Sequence, residues 1–267
     1  MHYVTPLCGN TTEDKMLIVA GFGFVGQAYY ELLSTEYAVE VVDPKYTDYY
    51  ISDFPFACGL VCCVGTPVNS EGVYDISAIH SVISSTPVYI PILIKSTITV
   101  EDWDYLKQRF PKHSLSFSPE FLRAKSATAD VFDRNYEIVA GDSVEFWRNI
   151  FNTVKPHAWV YEANSEEAII AKQAMNAFLA TKVSFFNQIY EYCAANDVDF
   201  EAVRSLMIAD KRIGSSHTKV TASRGWGGYC FPKDTTALLS SAEQADVSLS
   251  VLESAVSYNN SIRNSKN

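Results

Sequence analysis

The stretch KMLIVAGFGFVGQAYYELL, residues 15–33, decides the fold. Its apolar run reads as a buried strand, three glycines follow at once, and apolar residues then recur at helical spacing. Gly21, Gly23 and Gly26 form a G-x-G-x-x-G turn that encloses Phe24 and Val25. In such a turn the first glycine permits the tight bend and the second lets a pyrophosphate approach the backbone. The third allows close helix–strand packing, and the helix N-terminus adds positive potential. The run YAVEVVDP reads as a second strand ending in Asp43, seventeen residues beyond Gly26. A carboxylate there can accept hydrogen bonds from a ribose diol. Lys45 follows and no arginine does, which favours NAD over NADP. The other reading of the same residues is a Rossmann-like turn with an empty cleft.

Outward from this unit, CGLVCCVG, VYIPILIKS, SLSFS, YEIVAG and HAWVYE read as further strands. DISAIHSVI, VEDWDYLKQRF and SVEFWRNIF read as helices between them. Strands alternating with helices predict an α/β fold, a Rossmann-type, mainly parallel sheet covered on both faces. The character changes near Asn164, because residues 165–196 contain no glycine or proline and keep a helical apolar period. One long central helix over 165–195 is expected, with Ser165, Glu166 and Glu167 at its acid-rich start. Shorter helices are expected at 199–209, 233–242 and 247–262, with a loop over 210–231 and no strand after Glu162. The predicted organisation is a polar leader at 1–14, a dinucleotide-binding domain at 15–163 and an all-helical domain at 164–267.

The chain has 267 residues, 48% of them apolar, and a formal charge of −10. No basic excess is available to neutralise phosphates, so nucleic-acid binding is not expected. The leader lacks the basic start and apolar stretch of a signal peptide, and no run is long enough to span a membrane. The six cysteines show no metal-ligand spacing. They read as reduced thiols in a cytoplasmic protein without a metal site.

RGWGGYCFPKD, residues 224–234, carries the chemistry. Pro232 suits the first turn of a helix, which would put Cys230 just before the helix start. Helix-end N–H groups and Lys233 would then favour a thiolate, and Gly227 and Gly228 would admit a ligand close to the backbone. Asp234 adds a carboxylate one turn on. The segment reads equally as a nucleophile's setting or as a small buried thiol at a helix cap.

The segment GWGGYCFPKDTTALL resembles the active-site segment of the UDP-glucose/GDP-mannose 6-dehydrogenase family. GFGFVG, CVGTP, KSTITV, SPEFLRAKSA, AKQAMNAF and DKRIG resemble other family segments in the same order along the chain. The resemblance implies a two-step, four-electron oxidation of a sugar C6 alcohol to a carboxylate, with NAD as cofactor and a nucleotide sugar as substrate. UDP-glucose is the first expectation. Cys230 would capture the aldehyde as a thiohemiacetal, which is oxidised to a thioester and hydrolysed. Lys172 and Asn176, at i and i+4 on the long helix, would stabilise an oxyanion. Glu120, Thr97 and Asp234 match residues that position water or relay protons. Lys233, Thr66 and Thr97 fall on cofactor-contacting positions. Phe121, Leu122, Arg123, Arg212, Gly225, Gly227 and Gly228 fall on substrate-lining ones. A homodimer through the long helix is implied as well.

Three departures from the family pattern are visible. The chain stops at Asn267, just after VSYNNSIRN, so the family's second nucleotide-binding-like domain is expected to be missing. A separate lid-supplying partner or a dimer mate would then complete the substrate enclosure. Ala124 stands where many relatives carry a glutamate, and the segment between Asp43 and CCVGTP is short. Two other readings stay open. One is a catalytically silent NAD-binding or assembly subunit, and the other is a one-step β-hydroxyacid-type dehydrogenase, which needs no cysteine.

Overall fold

The computed structural model describes residues 16–69 and 72–264. The polar leader expected at 1–14 lies outside the described residues. Of the described residues, those up to Pro67 and Tyr74–Lys172 form one compact unit. Those within Val68–Val73 and from Gln173 onward form a second.

The first unit is built on seven strands: β1 (Met16–Ala20), β2 (Ala38–Val42), β3 (Gly59–Cys62), β4 (Ile92–Ile94), β5 (Leu115–Phe117), β6 (Tyr136–Gly141) and β7 (Trp159–Ala163). Their order across the sheet is β2-β1-β3-β4-β5-β6-β7. All neighbours pair in parallel except β5 with β6, which is antiparallel. This is the expected mainly parallel α/β sheet. Its order reverses between β1 and β3, and open sheets of this kind bind ligands beyond the strand ends at that switch point.

Helices α1 (Phe24–Leu33), α2 (Ser77–Ser85), α3 (Val100–Arg109), α4 (Ala127–Asp133) and α5 (Val144–Val154) connect the strands. Strand side chains alternate between the two faces, so one apolar layer takes Ile18, Leu60, Cys62, Ile92 and Ile94. The opposite layer takes Leu17, Val19, Val61, Cys63 and Leu93 and packs against Tyr29, Trp147 and Phe151. The start of α3 is set by Thr99, whose hydroxyl accepts from the Asp102 N–H at 3.1 Å. The Asp102 carboxylate accepts in return from the Thr99 N–H at 2.9 Å. Helix α4 is not evident in the sequence, because its seven residues are too few to show a period.

The long helix is α6 (Ser165–Ala195), at the predicted bounds. Its entry is held by Asn164, whose N–H donates to Glu167 at 3.0 Å. The second unit continues with α7 (Phe200–Ile208), α8 (Cys230–Gln244) and α9 (Ser250–Asn264). Cys230 is the first residue of α8, not the residue before the helix. Pro232 therefore sits third in α8. Its missing N–H would still have been one of the four donors without a helical partner, so the helix can begin two residues earlier. No helix among the described residues is long and apolar enough to cross a membrane. Cys62, Cys63, Cys193 and Cys230 are thiols, whereas Cys58 is disulfide-bonded. The expectation of reduced thiols fails at Cys58.

Candidate active site

In the first unit the glycine turn follows β1 directly. Gly21 has φ +88°, and a side chain there would stand 2.8 Å from the Cys63 backbone. A side chain at Gly26 would stand 2.0 Å from the Gly21 carbonyl oxygen, so α1 can approach the turn only as glycine. Nothing lies within 4 Å of where a Gly23 side chain would begin, and Gly23 caps α1 without a side-chain hydrogen bond. The opening N–H groups of α1, around Phe24 and Val25, are left for a phosphate. Asp43 directly follows β2, and one carboxylate oxygen accepts from the Phe22 N–H at 2.7 Å. The other accepts from the Lys45 N–H at 2.9 Å. Each oxygen keeps a lone pair that a ribose hydroxyl can use. The Phe22 ring packs edge-on against Tyr46 and Tyr30 beside it. These residues fit the adenosine and pyrophosphate of a dinucleotide.

Farther along the same sheet, Thr66 donates to the Thr97 carbonyl at 2.8 Å and joins the loops after β3 and β4. Glu120 is buried, and its Oε1 accepts from the Phe121 and Leu122 N–H groups at 2.5 and 2.6 Å. Among the described residues its Oε2 has no hydrogen-bond partner, and it faces the Lys95 ammonium at 3.7 Å. Lys95 is itself buried, donates to Ser118 at 2.9 Å and lies 4.1 Å from the Tyr29 ring centroid. Behind it, Glu137 is held by Arg134 at 2.9 Å and Lys155 at 3.0 Å. Burial alone would raise the Glu137 pKa, but Lys95, Arg134 and Lys155 outweigh burial and hold it below its ordinary value. Burial also lowers the Lys95 pKa, opposed by Glu120 and Glu137. Lys172 is buried, with its ammonium 5.3 Å from the Phe121 ring centroid. Leu122 packs into the core layer that holds Tyr29. Arg123 is exposed and forks onto Asp130, and Ala124 stands exposed in the turn that follows.

In the helical unit, Asn176 on α6 donates to Asp234 on α8 at 2.5 Å, and both are buried. Asp234 and Cys230 are four residues apart on α8 and share one face. The Lys233 ammonium lies 5.3 Å from the Tyr229 ring centroid. Gly225 and Gly227 abut Asn259 and Arg263 of α9, whereas Gly228 has nothing within 4 Å of its side-chain position. Arg212 is exposed and pairs with Asp210 at 2.6 Å.

The structure thus groups Gly21, Gly23, Gly26, Asp43 and Lys45 at one end of the sheet, and Thr66 with Thr97 beyond the neighbouring strands. It groups Asn176, Asp234 and Cys230 in the helical unit. Sequence reasoning missed the charged cluster under Glu120 and the buried asparagines Asn187 and Asn259. Two signals were available: Lys95 closes an otherwise apolar run, and Glu137 stands inside an apolar strand.

Sheet order and glycine turn define a Rossmann-type α/β unit followed by a helical unit. Residues 166–261 match the UDP-glucose/GDP-mannose dehydrogenase family, central domain. The chain is 35% identical over 210 residues to UDP-glucose 6-dehydrogenase YwqF of Bacillus subtilis, covering 74% of this chain and 47% of that protein. It is 33% identical over 235 residues to UDP-glucose 6-dehydrogenase TuaD of the same species, covering 82% and 50%. A UDP-glucose dehydrogenase structure from Pyrobaculum islandicum superposes with a TM-score of 0.81 at 21% identity, covering 96% of this chain and 70% of that one. Residues 166–261 thus match that family's central domain, and the chain as a whole is similar to its UDP-glucose 6-dehydrogenase members. It spans about half the length of the curated relatives it matches.

Proposed function

We propose that the protein oxidises the C6 alcohol of a nucleotide sugar to the carboxylate in two NAD-dependent steps, with UDP-glucose the first substrate to test. The observation that carries the reading is the grouping of Cys230 and Asp234 on one face of α8, with Asn176 bonded to Asp234. A thiol at a helix start with a buried carboxylate one turn on is suited to nucleophilic capture of an aldehyde. NAD, when bound, supplies the hydride acceptor for each oxidation. Gly21, Gly23, Gly26 and Asp43 would hold its adenosine and pyrophosphate, with Lys45, Thr66, Thr97 and Lys233 as further contacts.

In this reading the Cys230 thiolate adds to the aldehyde carbon and forms a C–S bond, giving a thiohemiacetal. Loss of hydride and a proton turns that adduct into a thioester. Water then adds to the thioester carbonyl, the C–S bond breaks, and the carboxylate leaves with Cys230 restored. Lys172 and Asn176 stabilise the oxyanion of each adduct, and Glu120 takes a proton from the attacking water. Thr97 and Asp234 orient that water and relay protons. Phe121, Leu122, Arg123, Arg212, Gly225, Gly227 and Gly228 line the substrate. Covalent capture keeps the aldehyde in place while reduced cofactor is exchanged for oxidised.

The same reading makes α6 a dimer surface. Phe178, Phe185 and Tyr192 recur every seven residues and stand exposed, which supports pairing of two copies along the helix.

The test is incubation with NAD and a panel of nucleotide sugars, counting NADH per acid formed. Two NADH per carboxylate support the proposal, and one NADH with a carbonyl product supports the one-step reading. Tight NAD binding without turnover on any sugar supports the silent subunit.

A further inference from the structure

The loop between α7 and α8 delivers Cys230 to the helix start, and its last residues have little regular structure of their own. Arg224 and Gly225 both have φ +56°, and Gly228 has φ +81°. Two glycines between Trp226 and Cys230 leave this segment costly to order, at roughly 1–2 kcal/mol of backbone entropy per residue. Something outside the loop must fix it.

That fixing comes from two buried side-chain amides on two helices of the same unit. Asn259 of α9 is 3% exposed. Its Oδ1 accepts from the Trp226 N–H at 2.7 Å, and its Nδ2 donates to the Trp226 carbonyl at 3.1 Å. Asn259 therefore meets both polar groups of one residue, as a neighbouring strand would. Asn187 of α6 is 1% exposed. Its Oδ1 accepts from the Gly225 N–H at 3.1 Å and from Arg224 Nε at 2.9 Å. The Trp226 indole donates to Ser184 at 2.9 Å, and the Ser184 hydroxyl in turn donates to the Ala255 carbonyl at 3.0 Å. A side chain at Gly225 would begin 2.3 Å from Asn259 Oδ1, so the glycine and the amide require one another.

We propose that Asn259 is a positioning residue for Cys230, holding the Trp226 peptide so that the thiol at the start of α8 keeps one direction. The proposal rests on the reading of Cys230 as nucleophile. An apolar side chain could fill the Asn259 site, but it would leave the buried N–H and C=O of Trp226 without these partners. What the amide adds is direction, fixed in both senses by one donor and one acceptor. Asn187 holds the preceding residues in the same way.

The experiment uses the intact chain and four proteins: wild type, Asn259→Ala, Asn259→Asp, and Ser257→Ala on the exposed side of α9. Two quantities are read across pH: the second-order rate of Cys230 alkylation by iodoacetamide, and kcat and KM for NAD with UDP-glucose. Asn259→Ala should lower kcat on the order of 100-fold, the penalty of a reacting group displaced by about 1 Å. It should change the alkylation rate by about tenfold and leave KM for NAD within about twofold, while Ser257→Ala matches wild type. Asn259→Asp, measured as a ratio to wild type at each pH, should recover as its carboxyl takes up a proton. The acid then again offers one donor and one acceptor. Wild-type alkylation and kcat in Asn259→Ala overturn the proposal. So does a folded Asn259→Asp whose ratio to wild type is the same at every pH, since restoring one donor and one acceptor would then make no difference. Should Asn259→Ala not fold, Asn259→Asp decides alone. A wild type that makes no acid sinks the dehydrogenase reading, and the alkylation rates still decide the role of Asn259.

Discussion

Asn176 donates to Asp234 across 2.5 Å, tying α6 to α8 one turn beyond Cys230. Asp234 is 1% exposed, so its carboxylate depends on donors supplied by the protein. Asn176→Ala should destabilise the fold by about 1–3 kcal/mol, the cost of removing a hydrogen-bond partner from a buried polar group. Urea denaturation checks this. An unchanged midpoint would show that other partners of Asp234 suffice.

Cys230 should be the reactive thiol. Burial raises the Cys62 pKa to about 11 and pushes Cys63 well above its ordinary value, so both are protonated at neutral pH. Iodoacetamide should modify Cys230 ahead of both, and nucleotide sugar should protect it. Cys230→Ala should bind NAD normally but make no acid. Peptide mapping and mass spectrometry of the sugar product read the two outcomes. Acid formation by Cys230→Ala would return the cysteine to a packing role.

Asp43 should set cofactor choice. In the proposed cofactor site its carboxylate would meet a 2′-phosphate with like charge, so wild type should bind NAD more tightly than NADP. Asp43→Asn should narrow that gap, because the amide keeps an acceptor for the Phe22 N–H and loses the charge. Calorimetric titration with both cofactors checks it, and equal wild-type affinities would remove the assignment.

Glu137 should make the sheet unit sensitive to acid. Its folded pKa lies below the ordinary 4.5, so its stabilising contribution is complete above that value and is lost as pH falls through the folded pKa. Thermal unfolding of wild type should weaken from about pH 4.5 downward. Glu137→Gln should lower stability at neutral pH by about 3–5 kcal/mol, because Arg134, Lys155 and Lys95 lose a buried counter-charge. It should also flatten the acid limb. A parallel pH profile in Glu137→Gln would place the acid sensitivity elsewhere.

The sheet was legible because its strands are short apolar runs with turn residues at their ends, and α6 because 31 residues pass without a breaker. The turn at Gly21–Gly26 and the acid at Asp43 were legible because backbone geometry demands those residue types there. The network under Glu120 was hidden for a different reason. Lys95, the near neighbours Arg134 and Glu137, and Lys155 come from three separate segments, and only the folded sheet brings them within 4 Å of shared partners. Asn187 and Asn259 were hidden because an asparagine on a helix looks the same in sequence whether it faces water or a loop backbone. The start of α8, expected at Lys233, lies three residues earlier at Cys230 because Pro232 signals a first turn without saying which position in it.

Cys62 and Cys63 adjoin in the chain, yet each belongs to a different apolar layer, one with Ile18 and Ile94 and the other with Leu17 and Val19. Successive residues therefore report on opposite sides of one sheet. Pulse labelling at Cys62 times the opening of one layer, and labelling at Cys63 times the other. Cys193, buried beside Phe186 and Phe200, times the helical unit. The protein carries its own unfolding probes, each read by the mass of a single peptide or fragment, with no engineered label.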